Sequence, residues 1–237
     1  MTSRTPIWKA IATSLRDDIA EGLYGPGDKL PTETVLAARF GVNRHTVRHA
    51  LAALADENLL HSRRGAGVFV TTTPTDYPIG RRVRFHQNLR AAGRTPAKKV
   101  LLLETRAAHR TEAEALQLQN DARVHVYEGL SLAEQRPIAL FRSVFPAAAF
   151  PGLLNHLRHD PSVTAALGQF GLTDYTRAST RVNAKLATAT QALHLQITEH
   201  APILRTIGIN IAPDGTPIEV GRTWFAGDKV TLTLTED

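Results

Sequence analysis

Between residues 32 and 70 the chain-breaking residues fall so closely that few folds remain. Thr32 and Glu33 open a short helical pattern, TETVLAARF, with a capping hydroxyl and an acidic first turn. Gly41 closes that pattern, Val42 is the pivot, and Asn43 caps a second helix, RHTVRHALAAL. At about 100° per residue, Val47, Leu51 and Leu54 share one face of it, and Arg44, His45, Arg48 and His49 fall on a neighbouring polar face. Val35, Leu36 and Phe40 are expected to face inward from the first helix. Two apolar strand-like stretches follow, Leu59–Leu60 and Val68–Val70, on either side of the tip Arg63-Arg64-Gly65-Ala66-Gly67. Glycines at that tip permit a tight hairpin and close approach to another surface. Upstream, Ile7, Ile11, Leu15 and Ile19 make an apolar stripe between Pro6 and Gly22, and Leu23 and Leu30 are expected to anchor the loop that follows. A helix, a helix-turn-helix and a two-stranded wing make a winged helix-turn-helix.

The basic groups sit at the N-terminal end of the third helix, the end that a recognition helix presents to a major groove. Charge is unevenly spread. Residues 1–73 carry nine Lys/Arg against seven Asp/Glu, residues 74–100 carry seven against one, and residues 101–237 carry twelve against fourteen. A basic N-terminal part joined to a mildly acidic remainder suits a nucleic-acid-binding domain attached to something else. Arg44 and Arg48 have the chemistry to clamp guanine bidentately or to bind phosphate, and the sequence leaves that choice open. Thr32 is a cap or a backbone contact.

The stretches PTETVLAARFGVNRHTVRHAL and RRGAGVFV, in that order and spacing, resemble the GntR family of bacterial transcription regulators across the whole N-terminal region. The resemblance implies DNA contacts from Arg44, His45, Thr46 and Arg48, and from Arg64 and Gly65 of the wing. A winged helix used only for protein contacts is the alternative.

Prolines, threonines and a glycine mark 74–94 as an irregular linker, so the expected division is 1–73, 74–94 and 95–237. In the last part, KKVLLLETR, RVHVYEGLSLA, PIALFRSVF, TRASTRVNAKL, ILRTIGINIA, PIEVGRTWF and VTLTLTE read as strands. TEAEALQL, the FPGLLNHL region, SVTAALGQF and ATATQALHLQ read as helices. PDGTP between two strands signals an antiparallel hairpin, so this part is α+β. EALQLQ matches QALHLQ, with Leu116 against Leu193, and RPIALFRSVF matches TPIEVGRTWF, which suggests two related halves or a coincidence of common patterns. The repeat sets Arg142 opposite Arg222, a pair of guanidiniums suited to phosphate or phosphonate oxygens. Along one regular strand Arg222 and Trp224 point together and Glu219 points the other way, so all three line one pocket only with a bulge or a strand end.

DYPIGRRVRFHQNLRAAGRTP resembles the start of the UTRA effector domain in the HutC branch of that family, and with VNRHTVRHAL it is most similar to regulators of phosphonate-utilisation operons. The resemblance implies a chorismate-lyase-like antiparallel sheet with helices, and an effector pocket near His86, Ser162, Glu219 and Trp224. Ser162 is either a plain cap or part of an anion-attracting helix start. Members that bind phosphorylated sugars carry Arg-x-Arg where this chain has Gly129 and Ser131. Arg142, Arg177, Arg181 and Arg222 are the residues left to replace that charge.

The chain has no cysteine, so disulfide and thiol chemistry are excluded. MTSRTPIWKA lacks a signal peptide's apolar core, and no apolar run approaches a membrane span. Walker, nucleophile-elbow and zincin patterns are absent, and no cofactor or metal is expected. His156, His159 and Asp160 have a spacing that suits a metal or a polar cap beside Pro161. The expectation is a cytoplasmic, homodimeric, non-enzymatic repressor that binds a palindromic double-stranded operator under control of a small anion, a phosphonate or phosphate ester. The alternatives are a UTRA regulator of sugar or amino-acid catabolism, or an enzyme of chorismate-lyase-like fold.

Overall fold

The computed structural model describes residues 6–234 except 64, 72, 73, 82–88, 90–92, 94 and 120. The chain divides into two compact units, Met1–Thr73 and Pro74–Asp237. In the first, α1 (Ile7–Ala20), α2 (Glu33–Phe40) and α3 (Arg44–Asp56) precede a hairpin of β1 (Leu60–Arg63) and β2 (Gly67–Val70). Ile11, Leu15, Leu36, Val47, Leu51 and Leu54 share one core with Leu30, Leu60 and Val70. The Thr32 hydroxyl accepts from the Val35 N–H, and the Asn43 carboxamide accepts from the Thr46 N–H. Gly41 ends α2 at φ +64, the left-handed region that glycine enters without a Cβ penalty.

Three expected core positions are instead exposed. Ile7 is the first helical residue and precedes the buried turns; Leu23 lies past the chain reversal at Gly22; Val35 sits beside the stripe of Leu36 and Ala37 that an eight-residue helix buries.

The second unit is built on a six-stranded antiparallel sheet in the order β4-β5-β6-β9-β8-β7. Its strands are β4 (Pro96–Ala107), β5 (Arg123–Ala133), β6 (Arg136–Pro146), β7 (Thr176–Leu186), β8 (Pro202–Ile211) and β9 (Pro217–Ala226). One face carries α4 (Arg110–Leu116) and α7 (Ala189–Leu195). The other carries α5 (Leu153–His159) and α6 (Val163–Gly168), whose Leu153, Leu157 and Leu167 pack with Tyr127, Phe141 and Phe145. Within the stretch expected as an irregular linker, β3 (Thr75–Pro78) pairs in parallel with β10 (Val230–Thr233). The flanking prolines hide it, but Thr75 N–H donates to the Lys229 carbonyl and Tyr77 packs on Phe225.

The two halves of this sheet repeat. β4-α4-β5-β6 and β7-α7-β8-β9 meet where β6 pairs with β9, Arg142 directly against Arg222. Each helix packs on the other half's central strand, α4 on β9 and α7 on β6. In each, the third residue's side chain reaches back to the cap N–H, Glu112 to His109 and Gln191 to Thr188, and each ends on a left-handed glutamine, Gln117 and Gln196. These landmarks set the register 79 residues apart. Buried Leu116 therefore corresponds to buried Leu195, while Leu193 is exposed. The sequence match of Leu116 with Leu193 is off by two positions, a rotation of about 200° around a helix.

Candidate DNA-facing surface and candidate effector cavity

In the first unit, α3 sorts its side chains by helical angle. Val47, Ala50, Leu51 and Leu54 are buried, and Arg44, His45, Arg48 and His49 are exposed. Arg48 grips Glu33 of α2 with two nitrogens, at 2.9 and 2.7 Å, and Arg44 reaches the same carboxylate at 3.4 Å. The Arg48 hydrogen bond, with its charge and that of Arg44, holds the Glu33 carboxyl below the usual range against the opposing effect of burial. Both arginines are thus held side by side at the start of the helix, with more than half of each side chain open to solvent. The Thr46 hydroxyl is spent on Asn43 at 3.0 Å, and His49 stacks on Trp8 at 4.3 Å, while His45 is exposed. At the wing, Gly65 turns at φ +74 and is exposed. Arg63 folds back over Phe69 and donates to His61. Arg64 lies outside the described residues.

In the second unit, a cavity of about 360 Å³ opens between the sheet, the start of α6 and the segment around Tyr77. This is within the size range of small-molecule sites. Strand alternation decides what reaches it. Phe141 and Ser143 of β6, and Glu219, Thr223 and Phe225 of β9, line it. Arg142, Arg222 and Trp224 occupy the intervening positions and do not line the cavity. Arg142 pairs with Glu128, and Trp224 packs with Ala192, Leu195 and Ile203 in the cluster beneath α7. Of the residues expected near an effector, these three therefore lie apart from this cavity. Parity sets Glu219 apart from Arg222 and Trp224, so the strand has to choose. Ser162 lines the cavity and is also the cap of α6, its hydroxyl accepting from Ala165 N–H at 3.3 Å. His86 lies outside the described residues.

The cavity floor carries a directed hydrogen-bond chain. Arg177 can only donate, so its Nε bonds the Asn210 oxygen at 2.7 Å, which turns the Asn210 nitrogen to Glu219 at 2.6 Å. Ser143 donates to the other Glu219 oxygen, also at 2.6 Å. The Arg177 guanidinium lies against Gly208, where a Cβ would sit 1.9 Å from its Nη1. Lys98 of β4 completes the charged groups. Its ammonium lies 4.7 Å from the Phe141 ring centre and 5.6 Å from that of Tyr127. Burial lowers the Lys98 pKa to about 8, with the Glu219 and Asp160 carboxylates pulling the other way. Burial also raises the Tyr77 phenol, which stays protonated. Lys98, Ser143 and Asn210 are not singled out by sequence reading. They come together through pairing register, as when Lys98 faces Ser131 across β4 and β5.

Of the His156, His159 and Asp160 stretch expected to suit either a metal or a cap, only Asp160 is seen in a turn contact among the described residues. His156 packs edge-on against Phe170, and Asp160 accepts from Ser162 N–H. Among the described residues no cluster of three or more potential metal ligands occurs, and no helix is long and apolar enough to cross a membrane.

A winged helix with an arginine-bearing third helix, joined in one chain to a sheet domain with a polar cavity, defines the class of two-part transcription regulators. Residues 7–70 match the model of the bacterial regulatory proteins of the gntR family, and residues 91–231 match the UTRA domain. The chain therefore belongs to the GntR family, HutC subfamily. It is 30% identical over 246 residues to the probable transcriptional regulator PhnF of Escherichia coli, covering 98% of this chain and 96% of the relative. It is 29% identical over 229 residues to the mannosyl-D-glycerate transport/metabolism system repressor MngR of the same organism, covering 97% and 95%. The crystal structure of PhnF from Mycobacterium smegmatis superposes with a TM-score of 0.66 at 24% identity, covering 96% of this chain and 99% of that one.

Proposed function

We propose that this transcription regulator is a cytoplasmic repressor. It binds a two-fold symmetric operator as a homodimer and leaves it when a small anion, a phosphonate or phosphate ester, enters the cavity of the second unit. The observation that carries this reading is the charged floor of that cavity, where Lys98 and Arg177 both line a space of small-ligand size. The repressor sense is supported by the similarity to MngR, and the phosphonate sense by the resemblance that VNRHTVRHAL and DYPIGRRVRFHQNL carry. Release demands that the anion bind the DNA-free state more tightly than the bound one, since a ligand with equal affinity for both shifts nothing.

On the DNA side, Arg44, His45 and Arg48 are the base and phosphate contacts of α3, with Arg64 and Gly65 reaching from the wing. Thr46, tied to Asn43, acts mainly by fixing the start of the helix. The test is footprinting on the DNA upstream of the protein's own coding sequence, with and without a panel of phosphonates, phosphate esters and sugar phosphates. A symmetric footprint lost on adding an anion is expected; protection without sequence preference overturns the repressor reading. Arg48→Ala is expected to lower specific over non-specific affinity by about 1–3 kcal/mol if Arg48 reads a base.

A further inference from the structure

The sheet domain has two edges, β4 and β7, and the repeat makes them equivalent. At the 79-residue register, Leu102, Glu104 and Arg106 of β4 correspond to Arg181, Asn183 and Lys185 of β7. Pairing with Ile207, Arg205 and Ile203 puts the β7 trio on the face that carries α4 and α7. The first half balances its charges on that face. Arg106 lies 2.7 Å from Glu112 and 3.3 Å from Glu104, and Arg142 pairs with Glu128. The second half has none of these three carboxylates. Asn183, Gln191 and Ile207 stand in the places of Glu104, Glu112 and Glu128. Glu219, the one carboxylate on β7, β8 and β9, faces the cavity on the other side of the sheet.

The cations of the second half are therefore left uncompensated. Among the described residues Arg181, Lys185 and Arg222 make no ion pair. Arg205 donates to Asn183 at 3.1 Å, and its buried Nε has no acceptor. The cavity-side face of β7 is also uncovered. In the first half Leu103 joins the apolar cluster packed with α5, whereas its counterpart Val182 is 44% exposed and Leu186, on the same face, is 63% exposed. Arg81 accepts from the Arg177 N–H, but from Ser179 to Leu186 the outer edge of β7 pairs with no strand among the described residues.

We propose that this outer edge of β7 is a docking strand for an acidic, extended segment of another protein. The segment adds to the sheet beside β7, with carboxylates over Arg181 and Lys185 and alternate apolar side chains beside Val182 and Leu186. Main-chain hydrogen bonds supply affinity in strand addition, and alternate side chains supply selectivity. The partner thereby provides the carboxylates that the first half carries itself. A second copy of this chain fits less well, because β7 set against β7 brings Arg181 and Lys185 of one protomer toward the same cations of the other. The inference is independent of what the cavity binds.

The test is fluorescence anisotropy of a labelled, end-capped peptide that alternates glutamate and valine over the length of Ser179 to Leu186, titrated with the full chain. Binding is expected, and it is expected to be lost when alternate peptide nitrogens are methylated or when the same residues are arranged in two blocks. Asn183→Asp with Gln191→Glu, which restores the charge pattern of the first half, is expected to weaken the peptide about tenfold, within the worth of two exposed ion pairs, with no loss of melting temperature. Arg181→Gln with Lys185→Gln is expected to do the same. The methylated peptide needs no change to the protein, so it decides the matter even where a variant fails to fold. No binding, or equal affinity for the methylated or block-ordered peptide, overturns strand addition. Heparin binding more tightly than the peptide, and lost with the same substitutions, assigns the strip to a polyanion and overturns the protein partner. If Val182→Glu turns a wild-type dimer into monomers in sedimentation velocity, the strand belongs to a second copy and the proposal falls.

Discussion

The two halves of the sheet domain share one frame and differ in what they hang on it. Both start with a long edge strand, turn through a short capped helix with a left-handed glutamine at its end, and return as a hairpin. The first half is the more deeply packed. β5 is buried along most of its length, and α5 and α6 cover its cavity side with aromatic and leucine side chains. β7, the edge of the second half, is exposed along most of its length. The cavity draws on both. The halves supply corresponding cations, and the second ties its own to Glu219 through Asn210. Repetition fixes the architecture, and its local breakdown creates a site with direction.

Gly129 and Gly208, 79 positions apart, are the sharpest place to break that equivalence. A Cβ at Gly129 would stand 2.6 Å from the Lys99 backbone oxygen and 2.8 Å from the Phe141 ring. Gly129→Ala is expected to cost about 3 kcal/mol, since neither neighbour can yield without moving the sheet. At Gly208 the obstacle is the flexible end of Arg177, so Gly208→Ala should cost much less stability but dislodge Arg177 from Asn210. Thermal unfolding of both variants beside ligand titration separates the cases; equal losses of stability would show the floors to be alike.

The helix caps differ in charge and hence in pH response. Burial raises the Glu112 carboxyl, but hydrogen bonds from Arg106 and the His109 N–H, with the Arg106 charge, outweigh it, and the net shift is downward. A lowered folded value contributes stability above the unfolded carboxyl pKa that is lost as pH falls through the folded one. Glu112→Gln is expected to cost about 2 kcal/mol at neutral pH, because the Arg106 pair is charge-assisted, and to flatten the acid limb of the melting curve. Gln191→Ala should cost under about 1 kcal/mol at any pH. Melting profiles between about pH 3 and 7 check both, and an unchanged acid limb in Glu112→Gln sinks the assignment.

Burial of Lys98 also predicts a pH response of the cavity. With the Lys98 value near 8, anion affinity through this residue should fall as pH rises past that point, by about tenfold for each unit, or ~1.4 kcal/mol. Lys98→Arg should remove the decline. Affinity measured from about pH 7 to 9.5 decides it, and a flat wild-type profile would mean that Arg177 carries the anion alone.

Much of the fold is legible in the residues. Gly41, Asn43 and the spacing of Val47, Leu51 and Leu54 are local signals, and the structure follows them. The strands of the second unit read from alternation and from PDGTP. β3 does not, because its partner β10 lies at the far end of the chain and prolines flank it. For the cavity, alternation alone separates Glu219 from Arg222 and Trp224, whereas equating the halves by letters shifts Leu193 to the wrong face. Lys98, Ser143 and Asn210 escape sequence reading because their meeting depends on the register of six strands. The Ser143–Glu219 bond spans 76 positions.

The chain's two tryptophans fall one to each unit. Trp8 stacks on His49 of α3, and Trp224 packs beneath α7 behind the cavity floor. The chain thereby carries a pair of intrinsic fluorophores, each beside one of its two candidate sites. Trp8→Phe and Trp224→Phe would give single-emitter proteins in which operator binding and ligand entry are followed by separate optical signals, without any attached dye.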